Sequence, residues 1–341
     1  MKNKQIVFTK PNTAELLDKE YTEPSADEVV VETVFSSISC GTEKANITGN
    51  PNVSIKSTGN EPAKFPRATG YSSAGVVIAK GSDVKSIDIG DKVAMSWSMH
   101  KKYNVISEKN AVKFDDAKIS MQEAALCHIG TFPMAALRKT RLEIGESMMV
   151  MGLGILGLMA VHFAKAAGAV PVIAVDPMPE RREKALKFGA DYALDPFSED
   201  FVETVKKITG SGVNTAIEVT GLGEGLNQCL DCMAKFGRIV LLGCTRDKNF
   251  TVDYYRKVHG PGITLIGAHT HARPSFESSP GYFTQRDDVN AILKLCAMNR
   301  ITLKDMVDEV YSPNDCTQVY EQLINDKNFP VVVQFDWRKL K

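Results

Sequence analysis

The sequence lacks a long uninterrupted apolar run, an excess of charge of either sign and a regular pattern of cysteines. Its most apolar stretch, residues 147–176, is broken by glycines and is predicted to be buried core, not a membrane span. Lysine plus arginine and aspartate plus glutamate number 41 each, so no overall field favours nucleic acid or an anionic membrane as a partner. The N-terminus lacks the apolar core of a signal peptide. Seven scattered cysteines do not fit a disulfide framework, which predicts a cytoplasmic protein.

The first third of the chain is predicted to be rich in β-strands. A length of 341 residues, with 43% apolar and 24% charged residues, is typical of a globular protein of about two domains. Short β-branched runs are separated by glycine and proline turns. These runs are 5–8, 28–34, 74–80, 92–96 and 103–106. Residues 48–64 show no apolar periodicity and are predicted to form a long loop.

From residue 120 onwards, predicted strands and helices alternate. The predicted strands are 148–151, 171–175, 192–194, 214–219, 238–242 and 264–267, and three of the intervening helices are 179–188, 201–209 and 226–235. Six strands are what a doubly wound α/β domain with a parallel sheet requires. Residues 268–341 contain too few elements to fold alone, so we expect them to return to the N-terminal β domain.

A glycine-rich turn follows the first of these six strands and opens the next helix. Its glycines are Gly152, Gly154 and Gly157, in the spacing GxGxxG. Such glycines allow a tight turn, close approach of a pyrophosphate and close packing of helix on strand. The N–H groups at the start of the helix can then bind the phosphates. This arrangement predicts a bound dinucleotide.

Asp176, at the end of the next strand, bears on which dinucleotide binds. Its carboxylate can accept hydrogen bonds from a ribose 2′-hydroxyl and would repel a 2′-phosphate, which favours NAD over NADP. The nearby Arg181 and Arg182 keep NADP as the alternative, and Arg181 is a further candidate contact of the cofactor.

Several short motifs are spread over the whole chain. They are Cys40-Gly41-Thr42-Glu43, Gly70-Tyr71-Ser72, Gly90-Asp91-Lys92-Val93, Glu218-Val219-Thr220-Gly221, and Gly237 with Gly243. Together with the glycine turn they resemble the medium-chain dehydrogenases, the superfamily of zinc alcohol dehydrogenases, polyol dehydrogenases and zinc-free quinone reductases. The resemblance implies a GroES-like β domain over 1–128, a Rossmann domain with a six-stranded parallel sheet over 129–267, and a tail over 268–341 that rejoins the first domain. It also implies a homodimer or homotetramer, with substrate and nicotinamide meeting between the domains.

The zinc motif of that family is incomplete in this chain. The resemblance places Cys40 at the first thiolate ligand and Cys127 where a second ligand commonly lies. The histidine of the family's Gly-His-Glu motif is Tyr71 here, and a phenol with a pKa of about 10 is a poor zinc ligand at neutral pH. A catalytic zinc is therefore not favoured, with Cys40 and Cys127 as its ligands if one binds and as buried thiols otherwise. Residues 91–114 contain no cysteine, although many relatives carry four there, so no structural zinc is expected.

Without a metal, hydride transfer at a carbinol carbon needs a general acid or base near the oxygen. The resemblance gives Thr42 the role of passing the hydroxyl proton towards the cofactor ribose. Tyr71, in the vacated ligand position, is the candidate hydrogen-bond donor. The alternatives are a turn residue for Thr42 and a ring that fills the space of a metal for Tyr71. Thr131 and Val219 are expected near the nicotinamide.

The candidate substrate contacts are His128, which follows Cys127, and three residues beyond the sixth strand: His269, His271 and Arg273. Ligands of open α/β sheets bind beyond the carboxyl ends of the strands, although a hydrated crossover is the alternative for 268–274. The sequence thus predicts an NAD(H)-dependent oxidoreductase that interconverts a small secondary alcohol (polyol, sugar or cyclitol) and its ketone. The rivals are a zinc-free quinone or enoyl C=C reductase and a catalytically silent NAD-binding protein.

Overall fold

The computed structural model describes residues 2–51, 63–245 and 249–340. Most of the loop predicted over 48–64 lies outside the described residues. Contacts divide the chain into two units, the first formed by Met1–Ile129 with Val289–Lys341 and the second by Gly130–Asp288. The sequence placed the start of the tail at residue 268, whereas residues 268–288 belong to the second unit. No helix of the described residues is long and apolar enough to cross a membrane.

The first unit is built mainly from β-strands. Its elements before the second unit are β1 (Lys2–Lys10), β2 (Thr13–Glu20), β3 (Glu28–Ser37), α1 (Cys40–Ile47), β4 (Arg67–Ala68), β5 (Ser72–Lys80), β6 (Lys92–Ser96), β7 (Tyr103–Ser107), β8 (Ala111–Lys113), α2 (Met121–Ala124) and the start of α3 (Cys127–Thr140). One sheet has the order β2-β1-β4, and in a second sheet β3, β5, β6 and β8 are neighbours while β7 pairs with β3. β2 was not predicted, because only one of its residues, Ala14, is buried and its pattern is polar.

The second unit contains a parallel sheet covered by helices. Its elements are β9 (Met148–Met151), α4 (Ile155–Ala166), β10 (Val172–Val175), α5 (Pro179–Lys187), β11 (Tyr192–Leu194), α6 (Phe201–Thr209), β12 (Val213–Glu218), α7 (Gly223–Asp231), β13 (Met233–Leu241) and β14 (Thr264–Gly267). The strand order is β11-β10-β9-β12-β13-β14, which is the order of a dinucleotide-binding doubly wound sheet. Every residue of β9 and β10 is buried, as expected for central parallel strands. The predicted α/β fold class is confirmed.

The predicted end of the helix 226–235 and the predicted start of the strand 238–242 are wrong. The helix expected over 226–235 ends at Asp231, and β13 already begins at Met233. Met233 pairs with Val213 of β12, so pairing in the sheet overrides the local helical pattern of residues 233–235.

Residues 289–340 pack in the first unit. The helix α8 (Gln285–Ala297) begins in the second unit and continues into this segment, which also contains β15 (Glu309–Tyr311), α9 (Cys316–Asn325) and β16 (Val333–Asp336), with a short helical turn over Trp337–Lys339. β16 pairs antiparallel with β3, and β15 pairs with β16. Tyr320, Phe335 and Trp337 share an apolar core with Ile6 and Phe8 of β1.

Candidate active site

Three rings of the first unit lie together around Tyr71. The centroid of the His128 ring is 5.6 Å from that of Tyr71 and 4.7 Å from that of Trp97, and both contacts are edge-to-face. The centroids of Tyr71 and Trp97 are 6.3 Å apart. His128 is only 1% exposed, whereas Trp97 is 42% exposed. The cluster of Tyr71, Trp97 and His128, called the aromatic cluster below, therefore presents the Trp97 ring at the surface of its unit.

Sequence reasoning missed Trp97. Its backbone has a φ of 60°, a left-handed conformation that is unusual for a bulky residue. Strained conformations of this kind concentrate at functional sites. Position 97 is not a glycine or asparagine, the residue types that indicate a left-handed backbone in a sequence. The aromatic residue type was the one sequence feature that could have pointed to Trp97.

Ser72 explains why Tyr71 meets His128. Its hydroxyl donates to the carbonyl oxygen of Ala125 at 2.7 Å and accepts the N–H of Ile129 at 3.4 Å. These bonds join the start of β5 to the start of α3. Ser72 thereby fixes the strand that follows Tyr71 against the helix that carries His128.

The two candidate zinc cysteines are engaged with backbone carbonyls. The Cys127 thiol is fully buried and donates to the carbonyl oxygen of Glu123 at 3.4 Å, while the half-buried Cys40 thiol lies 3.6 Å from the carbonyl oxygen of Val331. Burial, followed by the charges of Cys296 and Glu123, raises the pKa of the Cys127 thiol well above its usual value. Thr42 lies half-buried in the first turn of α1.

The described residues do not fit a catalytic zinc site of the family type. Such a site uses three protein ligands and one open position. Among residues 2–51, 63–245 and 249–340, no three histidine, cysteine, aspartate or glutamate side chains converge in a group that could hold a metal ion. The resemblance aligns Tyr71 with the family's histidine, and a phenol does not replace an imidazole ligand at neutral pH.

The glycine turn of the second unit fits a dinucleotide. Gly152 has a φ of 96°, and a Cβ on Gly157 would lie 1.9 Å from the carbonyl oxygen of Gly152. A Cβ on Gly154 would meet nothing within 4 Å, so open space lies beside its backbone. No side chain caps the N-terminus of α4, which begins at Ile155. This end of the helix and the space at Gly154 can therefore receive a pyrophosphate.

Asp176 links the glycine turn to the end of β10. Its carboxylate accepts the N–H groups of Leu153 at 2.8 Å and Met178 at 2.9 Å, and it is 3% exposed. Arg181 lies 3.6 Å from the same carboxylate. Arg182 donates to the carbonyl oxygen of Asp176 at 2.8 Å and pairs with a different acid, Asp195. Both arginines thus have partners within this unit.

The loop after β14 is tied to α3 by two cations. Arg273 donates from Nη2 to the carbonyl oxygen of Thr131 at 2.7 Å, and its Nη1 lies 3.5 Å from Asp288. Lys139 donates to the carbonyl oxygens of Gly267 at 2.7 Å and Ala272 at 2.6 Å. Arg273 therefore holds the backbone at Thr131, whose side chain is fully buried.

The other candidate residues of the second unit are less enclosed. His269 is half-buried and His271 is exposed, with their ring centroids 5.2 Å apart. Val219 is half-buried directly after β12, and its N–H donates to the carbonyl oxygen of Met151 at 2.9 Å. Val219 thus lies beside the strand that leads into the glycine turn.

Comparison with known proteins assigns the chain to a family. The profile of the family described as zinc-binding dehydrogenase matches residues 156–279. The L-threonine 3-dehydrogenase of Pyrococcus horikoshii is 30% identical over 296 residues, which cover 77% of this chain and 81% of the relative. The chain belongs to the medium-chain dehydrogenase superfamily, in its zinc-type alcohol dehydrogenase-like branch. The profile match does not include Cys40, Tyr71 or Cys127, so it does not bear on the zinc ligands.

Two further comparisons cover nearly the whole of this medium-chain dehydrogenase. The D-guloside 3-dehydrogenase of Escherichia coli is 25% identical over 353 residues, covering 94% of this chain and 96% of the relative. The crystal structure of benzyl alcohol dehydrogenase from Acinetobacter calcoaceticus has a TM-score of 0.84 at 20% identity, covering 98% of this chain and 99% of that one. This likeness shows the shared fold. The protein is an oxidoreductase of the medium-chain alcohol dehydrogenase type.

Proposed function

We propose that this dehydrogenase uses NAD(H) and acts on a small polyol, sugar or cyclitol. The observation that carries the proposal is the aromatic cluster, which combines the half-buried phenol of Tyr71 with the exposed ring of Trp97. A phenol can hydrogen-bond to a carbonyl or carbinol oxygen, and an aromatic face packs well against the apolar face of a sugar-like ring. The name of the guloside dehydrogenase relative supports a sugar-like substrate.

The contacts of Asp176 support NAD over NADP. Its carboxylate accepts two backbone N–H groups and retains acceptor capacity for a ribose hydroxyl. Arg181 pairs with that carboxylate and Arg182 pairs with Asp195. Both guanidinium groups therefore already have an acidic partner that a 2′-phosphate would have to displace. Gly152, Gly154 and Gly157 would hold the pyrophosphate.

The residues of the protein have to bind the carbinol or carbonyl oxygen of the substrate and to accept or supply its proton. The chemistry that a bound nicotinamide supplies is hydride transfer to or from the carbinol carbon. During oxidation the hydroxyl loses its proton, and during reduction the carbonyl oxygen gains one. Tyr71 is the proposed donor to that oxygen, and Thr42 the proposed residue that passes the proton onwards. His128 orients the Tyr71 ring through their edge-to-face contact.

Turnover of a panel of polyols and sugars with NAD and with NADP tests this function. We expect oxidation of at least one secondary alcohol with NAD, and a loss on the order of 100-fold in kcat for Tyr71→Phe, in line with the contribution of one general acid or base. Full activity of Tyr71→Phe would show that another group handles the proton. About one zinc per purified chain would contradict the metal-free site. Inactivity on alcohols together with rapid reduction of quinones would favour a C=C reductase.

A homodimer or homotetramer is the proposed assembly. β14 ends the strand order of the six-stranded sheet, and Leu265 on it is 39% exposed. Phe236, against which a Cβ on Gly262 would press, is 78% exposed. An edge strand flanked by apolar side chains is a surface on which a second copy can extend the sheet. Light scattering on purified protein gives the number of subunits, and a monomer would contradict the proposal.

A further inference from the structure

The carboxylate of Glu43 is the centre of a buried hydrogen-bond network in the first unit. It accepts the N–H of Ser39 at 2.9 Å and the hydroxyl of Thr69 at 3.0 Å. The Nε2 of His100 lies 3.2 Å and 3.1 Å from its two oxygens, and the hydroxyl of Tyr320 also donates to it. Glu43 is 2% exposed and His100 fully buried. Four donors fill the acceptor capacity of a carboxylate, so Glu43 acts as an anchor and not as a base for substrate.

The other ring nitrogen of His100 completes the network. Nδ1 lies 2.7 Å from the hydroxyl oxygen of Ser36, and the indole N–H of Trp337 donates to that same oxygen at 2.8 Å. A hydroxyl oxygen has two lone pairs, so it can accept from Trp337 and still either donate to Nδ1 or accept from it. The ionised carboxylate of Glu43 only accepts, so Nε2 of His100 carries the hydrogen that faces it. A continuous chain of hydrogen bonds therefore joins Trp337 to Glu43.

His100 also shapes the segment that carries Tyr71. Its backbone N–H donates to the carbonyl oxygen of Thr69 at 2.8 Å. Gly70 has a φ of 91°, and a Cβ there would lie 2.7 Å from the backbone nitrogen of His100 and 2.8 Å from Cγ of its ring. The imidazole thus packs directly on the residue before Tyr71, and a shift of the ring would move that backbone.

Three segments without regular secondary structure meet at Glu43. They are 38–39, 69–71 and 97–100. The first leads into the helix that begins with Cys40, the second contains Tyr71, and the third contains Trp97. Segments that lack a helix or sheet ladder depend on side-chain bonds for a single conformation, and a fully satisfied buried network supplies it.

We propose that Glu43 and His100 are positioning residues of the active site, which set the geometry of the Cys40–Thr42 turn, of Tyr71 and of Trp97 at once. The role in turnover rests on the proposed function, whereas the geometric role does not. Glu43 lies in the helix that begins at Cys40, and His100 lies in the segment that contains Trp97. The hydrogen bond of Glu43 to Thr69 and the packing of His100 on Gly70 hold the two residues directly before Tyr71. Neither side chain needs to touch the substrate.

Glu43→Gln tests the role in turnover, with Ile87→Ala as the matched control. Glutamine keeps the size of the side chain but brings N–H donors towards groups that are themselves donors. Ile87 is 1% exposed in a separate apolar core of the same unit, so its truncation destabilises the unit without touching the network. At a temperature where all variants are folded, we expect Glu43→Gln to lower kcat on the order of 100-fold and to leave the Kd for NADH unchanged. Ile87→Ala should keep its kcat, and Glu43→Asp, which retains the charge, should recover part of the loss.

Fluorine NMR tests the geometry without relying on turnover. The chain has nine tyrosines, so protein labelled with 3-fluorotyrosine gives a small set of resonances, and Tyr71→Phe assigns that of Tyr71. We expect this resonance to shift or broaden in Glu43→Gln and to remain in place in Ile87→Ala. If Glu43→Gln does not fold, Tyr320→Phe removes one donor and should produce a smaller change. An unchanged Tyr71 resonance would overturn the inference. A changed resonance in a protein that oxidises no alcohol would overturn the proposed function alone.

Discussion

The ring of Trp97 packs edge-to-face on the ring of His128 with 4.7 Å between their centroids, although the backbone of Trp97 is held at a φ of 60°. An exposed indole that is kept in a strained conformation against a buried imidazole fits a substrate contact better than a scaffold residue. Trp97→Ala should therefore weaken substrate binding and raise KM about 3- to 10-fold, the value of one aromatic contact.

The control for this prediction is Trp97→Phe, which keeps an aromatic face and should keep most of the affinity. Trp97→Gly removes the ring but accepts the left-handed backbone without strain. We expect Trp97→Gly to be at least as stable as Trp97→Ala in thermal unfolding. A KM that is unaffected in both Trp97→Ala and Trp97→Gly would remove Trp97 from the site.

Gly154 and Gly157 should respond differently to the same substitution. A Cβ at Gly154 meets no atom within 4 Å and its φ is −69°, so Gly154→Ala should fold with an unchanged Tm and yet obstruct the approach of a pyrophosphate. A Cβ at Gly157 would lie 1.9 Å from the carbonyl oxygen of Gly152, so Gly157→Ala should destabilise the protein without any ligand. Calorimetry with and without NADH separates the two effects. Equal Tm losses in both variants would contradict this account of the turn.

The glycine turn was predictable because its determinants are local. The spacing of three glycines, an apolar strand before them and an acid after the next strand lie within a short stretch, and the bounds of β9 were read correctly for the same reason. The Glu43–His100 pair was not predictable, since its members are 57 residues apart and neither belongs to a periodic pattern. Burial of His100 depends on contacts with Ser36, Gly70 and Phe335, which only the folded chain brings together.

Asp176→Ser is expected to change the choice of cofactor. The substitution removes the carboxylate that would repel a 2′-phosphate and releases Arg181 from its ion pair. We expect the Kd for NADH to rise about 10-fold and that for NADPH to fall, as measured by fluorescence titration. Asp195→Ser, which frees Arg182 without altering the ribose acceptor, is the control and should leave the preference unchanged. Tighter binding of NADPH than NADH by the unmodified protein would contradict the assignment of Asp176.

Asp288 should be important for stability because it is the anion between two arginines. Its side chain is fully buried, with Arg138 at 2.8 Å and Arg273 at 3.5 Å. Asp288→Asn leaves these guanidinium groups without a counter-charge and should lower the free energy of unfolding by about 3–5 kcal/mol. Urea unfolding measures this loss.

The neighbouring Asp287 supplies the control for Asp288. It accepts hydrogen bonds from Thr284 and Ser278 at the start of α8 but lies near the surface, so Asp287→Asn should cost about 1 kcal/mol. If the two asparagine variants were equally stable, the ion cluster would not hold the loop after β14 against α3.

The titration of Glu43 should make the stability of the protein depend on pH in acid. Burial alone would raise the pKa of Glu43, but the charge of His100 and the hydrogen bonds from His100, Tyr320 and the Ser39 N–H outweigh it and lower the pKa. A carboxyl whose pKa is lower in the folded chain contributes stability above its unfolded pKa of about 4.3 and loses it as the pH falls through the folded value. The free energy of unfolding of the wild type should therefore fall more steeply with falling pH than that of Glu43→Gln, by up to about 1.4 kcal/mol per pH unit.

Urea unfolding between pH 7 and pH 3 measures the free energy of unfolding of both proteins as a function of pH, and the curve of the control Ile87→Ala should run parallel to that of the wild type. Parallel curves for the wild type and Glu43→Gln would mean that Glu43 titrates alike in the folded and unfolded chain, and the buried network around it would then be wrong.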